Sequence, residues 1–339
     1  MTMTRRYATL CRALLLSLVG GVGLALASCQ SGKKQRTLVE SIGAQSEVLL
    51  VAPRQVMQSD VMDTLQQMLA GAAPGLNQVE PFFRVARLNA EAYTRQYTIM
   101  HSILMVRLDP KAKEPTIGVT HDDRARPQTI LQITAPTLDA LRHFLPLHTQ
   151  LIRDQLLDGQ LLARQQQLRR KHSKKVNDEM RRQFGHTICV PEELQFTKTG
   201  HDFLWASDKQ QERSHNFVCY TLPYTGQPIH EDTCFAHLRD SVMERNIPGS
   251  APRQWMQTVW EGHEPLITTR LRRLEGRVAV EVRGLWEMRE GAMGGPFVSL
   301  ARIDTASRLI TICEGFVFSP STTKRDLVRT MEAALRTWR

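Results

Sequence analysis

The pattern of apolar and polar positions predicts a short apolar segment followed by a mixture of strands and helices. Residues 13–27 form an apolar run, and Glu47–Ala52 form a shorter one with the character of a buried strand. Ser59 and Asp60 are typical helix caps, and apolar residues recur after them at helical spacing. A strand followed by a helix is therefore expected after residue 46.

A long helix is predicted next. Further strands are expected at residues 98–106 and 129–134. Thr137 then opens a helical stretch to about Phe184, with a possible break at Pro146, and Gly185 is a natural stop. This stretch separates two regions of different pattern.

The second half is dominated by short strands. They are predicted at residues 186–190, 203–206, 216–222, 277–282, 297–303 and 309–318. A helix is expected at 234–245, and a final helix from Ser321-Thr322. Because strands and helices do not alternate strictly, the sequence predicts an α+β fold with two mixed sheet-and-helix lobes and an antiparallel-rich second half. The long basic helix would join these lobes or pack across both.

Four regions follow from this pattern. They are a signal peptide at 1–28, a lipidated cysteine and flexible tether at 29–45, a first α+β lobe at 46–184 and a second at 185–339.

The N-terminal run has the features of a lipoprotein signal. Arginines precede an apolar run of signal-peptide length, and Leu26-Ala27-Ser28-Cys29 ends it as a lipobox. The run is short for a permanent membrane span, which needs about 20 apolar residues. Cys29 is therefore predicted to be acylated, with palmitate among its chains, and to anchor the protein in a membrane. An ordinary cleaved signal peptide with a chance cysteine is the alternative.

The residues after Cys29 indicate in which membrane the protein is anchored. Gln30 is not the aspartate that retains many Gram-negative lipoproteins in the inner membrane. We therefore expect an outer-membrane lipoprotein of the cell envelope.

Charge adds one candidate surface. The formal net charge is +10, and removing the three arginines of residues 1–28 leaves +7. Basic residues crowd the end of the long helix, with the strongest cluster at Arg169, Arg170, Lys171, Lys174 and Lys175. This cluster is a candidate contact for anionic lipid or glycan, or an ordinary solvated helix face. Nucleic acid is not an expected partner of an exported protein.

Four cysteines remain after the predicted cleavage: Cys189, Cys219, Cys234 and Cys313. An oxidising compartment permits disulfides. Four cysteines allow three pairings, and free buried thiols are equally compatible with the sequence.

Several motifs occur together in a fixed order. They are Glu80-Pro81-Phe82-Phe83, Asp202-Phe203-Leu204-Trp205, Arg239-Asp240-Ser241, Ile247-Pro248-Gly249, Gly284-Leu285-Trp286-Glu287, Met293-Gly294-Gly295-Pro296-Phe297-Val298, Gly315-Phe316-Val317-Phe318-Ser319-Pro320 and Lys324-Arg325-Asp326. In that order they resemble an uncharacterised lipoprotein family of Bacteroidetes, a domain of unknown function that spans nearly the whole mature chain. The resemblance implies export and a shared fold, and it implies no catalytic residue.

The resemblance also bears on orientation. Surface lipoproteins of that phylum tend to carry an acidic run after the lipidated cysteine, whereas Lys33, Lys34 and Arg36 are basic here. We therefore expect the protein to face the periplasm.

Few residues form a pattern typical of catalysis or of metal or ligand binding. His230, Cys234 and His237 would share a helix face and could bind a metal, although Asp232-Thr233 also reads as a helix cap that would leave His230 outside. His121, Asp122 and Asp123 could serve acid–base chemistry, or could form a simple turn. Gly294-Gly295-Pro296 could approach a ligand closely, or could mark a hairpin or strand entry. The aromatics Trp205, Tyr220, Trp286 and Phe316 are interpreted as core, and no cofactor is expected.

The sequence therefore favours a non-catalytic binding or scaffolding lipoprotein whose partner is an envelope protein, or an anionic glycan or lipid. The alternative is an envelope hydrolase that acts on peptidoglycan, glycan or lipid, with His121, Asp122 and Asp123 as its candidate residues.

Overall fold

The computed structural model describes residues 38–210, 212–274 and 276–339. Residues 39–339 form one compact unit. The predicted signal peptide, Cys29 and most of the tether lie outside the described residues. Within the described part, no helix is both long enough and apolar enough to cross a bilayer.

The first lobe contains a five-stranded mixed sheet. The strands of this half are β1 (Val39–Glu40), β2 (Glu47–Ala52), β3 (Arg84–Asn89), β4 (Ser102–Leu108), β5 (Thr116–His121), β6 (Ala125–Arg126) and β7 (Thr129–Ala135). The sheet order is β3-β2-β4-β7-β5, in which β5 runs antiparallel to β7 and the other pairs are parallel. β1 and β6 form a separate parallel pair.

Helices cover one face of this sheet. They are α1 (Arg54–Met57), α2 (Asp60–Ala70) and α3 (Leu138–Arg170). Alternate residues of β7 are buried, as expected for a strand with one face on the core. Apolar residues of α2 and of the first half of α3 fill that core.

The long helix differs from the prediction in where it breaks. The Thr137 hydroxyl accepts a hydrogen bond from the Ala140 amide and caps α3, which then continues through Pro146 without interruption. The proline removes one backbone hydrogen bond, but fully buried Leu141 and Leu145 hold the helix on the sheet at this point. The break lies instead at residues 171–173, before α4 (Lys174–Phe184).

The second lobe contains an eight-stranded sheet whose pairings are all antiparallel. Its eight strands are β8 (Phe196–Gly200), β9 (Phe203–Ser207), β10 (Ser214–Pro223), β11 (Met256–Thr258), β14 (Ile267–Leu274), β15 (Arg277–Met288), β16 (Gly294–Asp304) and β17 (Leu309–Phe318). β12 (Trp260–Glu261) and β13 (Glu264–Pro265) form a separate two-stranded hairpin. The order is β11-β15-β16-β17-β10-β9-β8, with β14 also paired to β15. The predicted α+β class and the antiparallel-rich second half are confirmed.

Two helices pack on opposite faces of this sheet: α5 (Asp232–Asn246) and α6 (Arg325–Leu335). The alternation of β10 divides the two cores, since Phe217 and Cys219 join the core with α6 whereas Val218 and Tyr220 join the core with α5. α4 and the second half of α3 pack into the α6 core. The long helix therefore packs across both lobes.

A buried ion pair lies beneath α5. Arg239 and Glu314 are both fully buried, and Nε and Nη2 of Arg239 donate to the two carboxylate oxygens at 2.9 and 2.8 Å. The Ser299 hydroxyl donates to the same carboxylate at 2.8 Å. This bidentate geometry fixes the register of the helix on the sheet.

The lobes meet at the start of α6. Glu80, which is 3% exposed, accepts hydrogen bonds from the backbone amides of Lys324 and Arg325 at 2.6 and 3.1 Å. A carboxylate at a helix N-terminus satisfies free amides and complements the helix dipole. One lobe thus supplies the cap for a helix of the other, and this contact joins the first and last motifs of the sequence.

Two predicted elements differ in position. Residues 186–190 form no strand among the described residues, and the final helix begins at Arg325 rather than at Ser321-Thr322. The strands missed by the sequence pattern include β5 and β14, in which no residue is buried.

Candidate functional site

A cavity of about 680 Å³ lies on the α5 face of the C-terminal sheet, beyond the end of that helix. Its walls carry aromatic and methionine side chains: Phe196, Trp205, Trp286, Phe316, Phe318, Met256, Met288 and Met293. Phe196 comes from β8 and Met256 from β11, which are opposite ends of the strand order. The sheet therefore curls around this space, which we call the aromatic pocket.

The strand period explains why these side chains converge. Successive side chains of a strand point to opposite faces, so residues i and i+2 share a face. Four strands each contribute such a pair to the lining: Trp205 and Ser207, Ser214 and Asn216, Trp286 and Met288, and Phe316 and Phe318. Side chains at alternate positions of these four strands thus form the lining of the pocket.

Gly295 shapes one wall of the pocket. The Trp286 indole Nε1 donates to the Val317 carbonyl at 3.2 Å, although strand β16 separates their two strands. A Cβ at Gly295 would lie 2.1 Å from the Val317 oxygen and 3.3 Å from Trp286 Nε1. A glycine is therefore required where the indole crosses the strand. Of the two meanings of Gly294-Gly295-Pro296, strand entry is the one observed, because β16 begins at Gly294.

The polar atoms of the opposite wall are already satisfied. Trp205 Nε1 donates to Asn216 Oδ1 at 3.1 Å, and Asn216 Nδ2 donates to the Ser214 hydroxyl at 2.6 Å. Because these groups bond to one another, the Trp205 ring presents a largely apolar surface to the pocket.

The mouth carries a positive charge. Lys209 is exposed and is the sole ionisable side chain among the described lining residues. Its Nζ lies 3.8 Å from the Phe196 ring centroid, close enough for a cation–π contact. Met293, 44% exposed, stands on the β15–β16 turn at the mouth.

This arrangement suits binding of an elongated apolar molecule. Ligand pockets typically occupy about 300–1,000 Å³ and are lined by apolar and aromatic side chains with a few placed polar groups. Methionines adapt their shape to a flexible ligand. A ligand with an apolar body and an acidic end would match both the walls and Lys209.

The candidate acid–base residues lie elsewhere, on the turn after β5. Asp122 Oδ2 accepts from Arg126 Nε at 2.7 Å, and Asp123 pairs with Arg124 at 3.1 Å. His121 Nδ1 lies 3.2 Å from the Thr129 hydroxyl. None of the three lines the aromatic pocket, and a catalytic role for them stays a prediction.

The candidate metal ligands are placed around the start of α5. His230 is exposed and precedes the helix, His237 is exposed and lies 4.9 Å from the Trp260 ring, and Cys234 is half-buried. Burial raises the pKa of the Cys234 thiol, which disfavours the thiolate. Within the described ranges, no group of three His, Cys, Asp or Glu side chains is arranged to hold a metal ion.

The basic cluster lies at the turn between α3 and α4. Arg169, Arg170, Lys171, Lys174 and Lys175 are all exposed. Lys171 pairs with Glu192 at 2.7 Å, and Lys175 donates to the Gln195 carbonyl at 2.8 Å. Its role in binding anionic surfaces stays a prediction.

One cysteine pair is brought together. Cys219 and Cys313 face each other on β10 and β17, with their sulfurs 3.6 Å apart and fully buried. Burial and the neighbouring thiol raise the pKa of Cys219 well above its usual range. Cys189 lies in the segment after α4 and Cys234 in α5, both half-buried, and all four cysteines are free thiols.

Sequence reasoning missed the aromatic pocket because it interpreted Trp205, Trp286 and Phe316 as core. Both Trp286 and Phe316 are nearly buried, so that interpretation was partly correct, but they also form the pocket wall. The signal was present in the quoted motifs: the Asp202, Ile247, Gly284, Met293 and Gly315 segments all contribute lining residues. Only the sheet topology shows that they meet.

Fold and pocket define an α+β protein with a candidate ligand site in its C-terminal half. Residues 41–169 match a domain of unknown function, DUF8532, and residues 173–337 match a second, DUF4837. Together these two domains cover nearly all of the described chain, and the chain belongs to an uncharacterised family that they make up. The two matched domains meet between residues 169 and 173. The sequence pattern placed the boundary between the lobes at residue 185, and that boundary stays a prediction.

None of the curated proteins matches the chain. Among solved structures, the Ran-binding protein Mog1p of Saccharomyces cerevisiae is similar at 9% identity and a TM-score of 0.29, over 46% of this chain and 91% of that one. At that TM-score the likeness carries no argument.

Proposed function

We propose that this protein is a non-catalytic, lipid-anchored envelope protein that binds an amphiphile with an acyl chain and one acidic end. The aromatic pocket is the observation that carries the proposal. Its walls match an acyl chain, and Lys209 at its mouth matches the acid. An anchor at Cys29 would hold the pocket close to a membrane, which is a source of such molecules.

The location is part of the proposal. The lipobox supports acylation at Cys29, and the residues that follow it support an outer-membrane lipoprotein that faces the periplasm. A Cys29→Ala variant should leave the membrane fraction or remain unprocessed. Unchanged processing and membrane partition would contradict the anchor without affecting the pocket.

A binding titration tests the pocket. The compact unit from Val39 onward would be titrated with a fluorescent fatty acid. Ala292→Trp places a bulky ring in the lining at the mouth and should weaken binding at least about tenfold, the loss of about 1.4 kcal/mol of contact. Ala306→Trp is the matched control, because Ala306 is also exposed on a hairpin turn of this sheet but lies outside the pocket.

A second variant tests the positive charge at the mouth of the pocket. Lys209 has a φ of +54°, a conformation that asparagine tolerates well, so Lys209→Asn removes the charge with little backbone strain. This variant should weaken binding of a fatty acid and leave binding of the matching fatty alcohol unchanged. Equal affinities for Ala292→Trp, Ala306→Trp and the parent protein would refute binding in the aromatic pocket.

A further inference from the structure

A second cavity, of about 410 Å³, lies between the two lobes and is rich in arginine. Its arginines are Arg153, Arg270, Arg272, Arg283, Arg325 and Arg329. Three carboxylates share the lining, those of Asp154, Glu281 and Glu332. The lining we call the arginine cleft therefore carries three more positive charges than negative ones.

The carboxylates are not distributed evenly. Arg283 lies 2.7 Å from Glu332 and 3.1 Å from Glu281, and Arg272 lies 3.4 Å from Glu281. Arg325 pairs with Asp326, just outside the lining.

The other three arginines lack such a partner. Among the described residues, no carboxylate lies within 4.0 Å of Arg153, Arg270 or Arg329. With Asp326 counted, the six arginines of the cleft face four carboxylates, which leaves a net charge of +2.

Two of them are held beside the same ring. The Cζ atoms of Arg153 and Arg329 lie 5.1 and 4.8 Å from the Phe82 centroid. Arg153 comes from α3 of the first lobe, and Arg329 from α6 of the second. The fold therefore places two cations from different lobes beside one ring in the lining of one cavity.

Arg329 is the more unusual of the two. It is 7% exposed, and its one hydrogen-bond partner among the described residues is the Ser46 hydroxyl, at 2.7 Å from Nη1. Burial lowers the pKa of Arg329 to about 9, so the group remains charged at neutral pH. The charges of Glu332 and Asp326 raise the pKa of Arg329 and offset part of the cost of burial, but neither carboxylate forms an ion pair with it among the described residues. Desolvation of this cation is therefore only partly repaid.

We propose that the arginine cleft binds a phosphate monoester, whose phosphate lies between Arg153 and Arg329. Such a group carries about 1.5 to 2 negative charges at neutral pH and three acceptor oxygens, which matches the excess charge better than a single carboxylate does. Guanidinium forks bind phosphate through paired hydrogen bonds. The cavity is large enough for the ester to carry an organic group beyond the phosphate.

Calorimetric titration of the full-length protein in a non-ionic detergent tests this proposal. Three probes are used: inorganic phosphate, glycerol 3-phosphate and a short-chain phosphatidic acid. Arg153→Gln and Arg329→Gln should each weaken binding roughly tenfold, the loss expected for one charge-assisted hydrogen bond. Arg170→Gln, at an exposed arginine outside the cleft, should bind like the parent.

The probes also distinguish the sources of the phosphate. Tighter binding of phosphatidic acid would identify a lipid, and tighter binding of glycerol 3-phosphate a soluble ester. Phosphate should also raise the melting temperature of the parent but not that of Arg329→Gln, a difference that a purely structural role of Arg329 would not produce. Absence of binding by all three probes, or equal affinities in the parent and both cleft variants, would overturn the proposal.

Discussion

Glu332 should make a large, pH-dependent contribution to stability. Its side chain is 3% exposed, and its Oε1 lies 2.7 Å from Arg283 and 2.9 Å from Arg336. Burial alone would raise the pKa of Glu332, but the charges of the two arginines outweigh it and lower the pKa from 4.5 to about 2. A carboxylate whose pKa falls on folding stabilises the folded state while it is ionised.

The magnitude follows from that change. At about 1.4 kcal/mol for each tenfold change in acidity, Glu332 contributes about 3 kcal/mol to the free energy of unfolding at pH 7. Its near-complete burial means that solvent screening reduces this value little. The contribution is complete above pH 4.5 and is lost as the pH falls toward 2.

Urea unfolding of the parent and Glu332→Gln, followed by tryptophan fluorescence, checks the prediction. The variant should be about 3 kcal/mol less stable at pH 7, and the difference should shrink to about half near pH 3. Glu91→Gln is the control, because Glu91 is exposed and forms no ion pair among the described residues. A difference that is constant from pH 7 to pH 3, or is absent at pH 7, would refute the reasoning.

Three further outcomes are expected. Glu314→Gln should lower the free energy of unfolding by about 3–5 kcal/mol in urea denaturation, because it removes the bidentate carboxylate partner of buried Arg239 and leaves the longer contact with Asp240 at 3.4 Å; an effect below about 1 kcal/mol would contradict the ion pair. Gly295→Ala should lower the melting temperature and change tryptophan emission, since its Cβ has no room beside the neighbouring strand; a native-like spectrum and melting temperature would contradict this. Non-reducing peptide maps should show Cys219 linked to Cys313 or no disulfide among the described cysteines, and a link from either to another cysteine would contradict the sheet register.

Local pattern predicted much of the fold. The buried run Glu47–Ala52, the alternation around β7 and five strands of the second half (β9, β10, β15, β16 and β17) were identified because each has one or both faces on a core. Exposed strands such as β14 were missed because their side chains carry no apolar alternation. The break after Arg170 was missed because proline is a stronger local signal than a capping serine, although packing holds the helix together at Pro146.

The candidate sites were harder to predict for a different reason. Trp205, Trp286 and Phe316 lie on strands that are separated along the chain, and only their pairing places them around one cavity. Arg153 and Arg329 belong to different lobes and converge on Phe82 only through the lobe contact. Sequence pattern reports the neighbours of a residue along an element, whereas both sites depend on long-range contacts.

Photo-crosslinking most directly tests the central proposal, that the aromatic pocket binds an acyl chain. The compact unit would be irradiated with a diazirine-bearing fatty acid, and the labelled peptides would be located by mass spectrometry. We predict labels on the segments 205–216 and 286–293, removed by excess unlabelled fatty acid and reduced in Ala292→Trp. Labels confined to other surfaces, or labels that excess fatty acid does not remove, would contradict the proposed function.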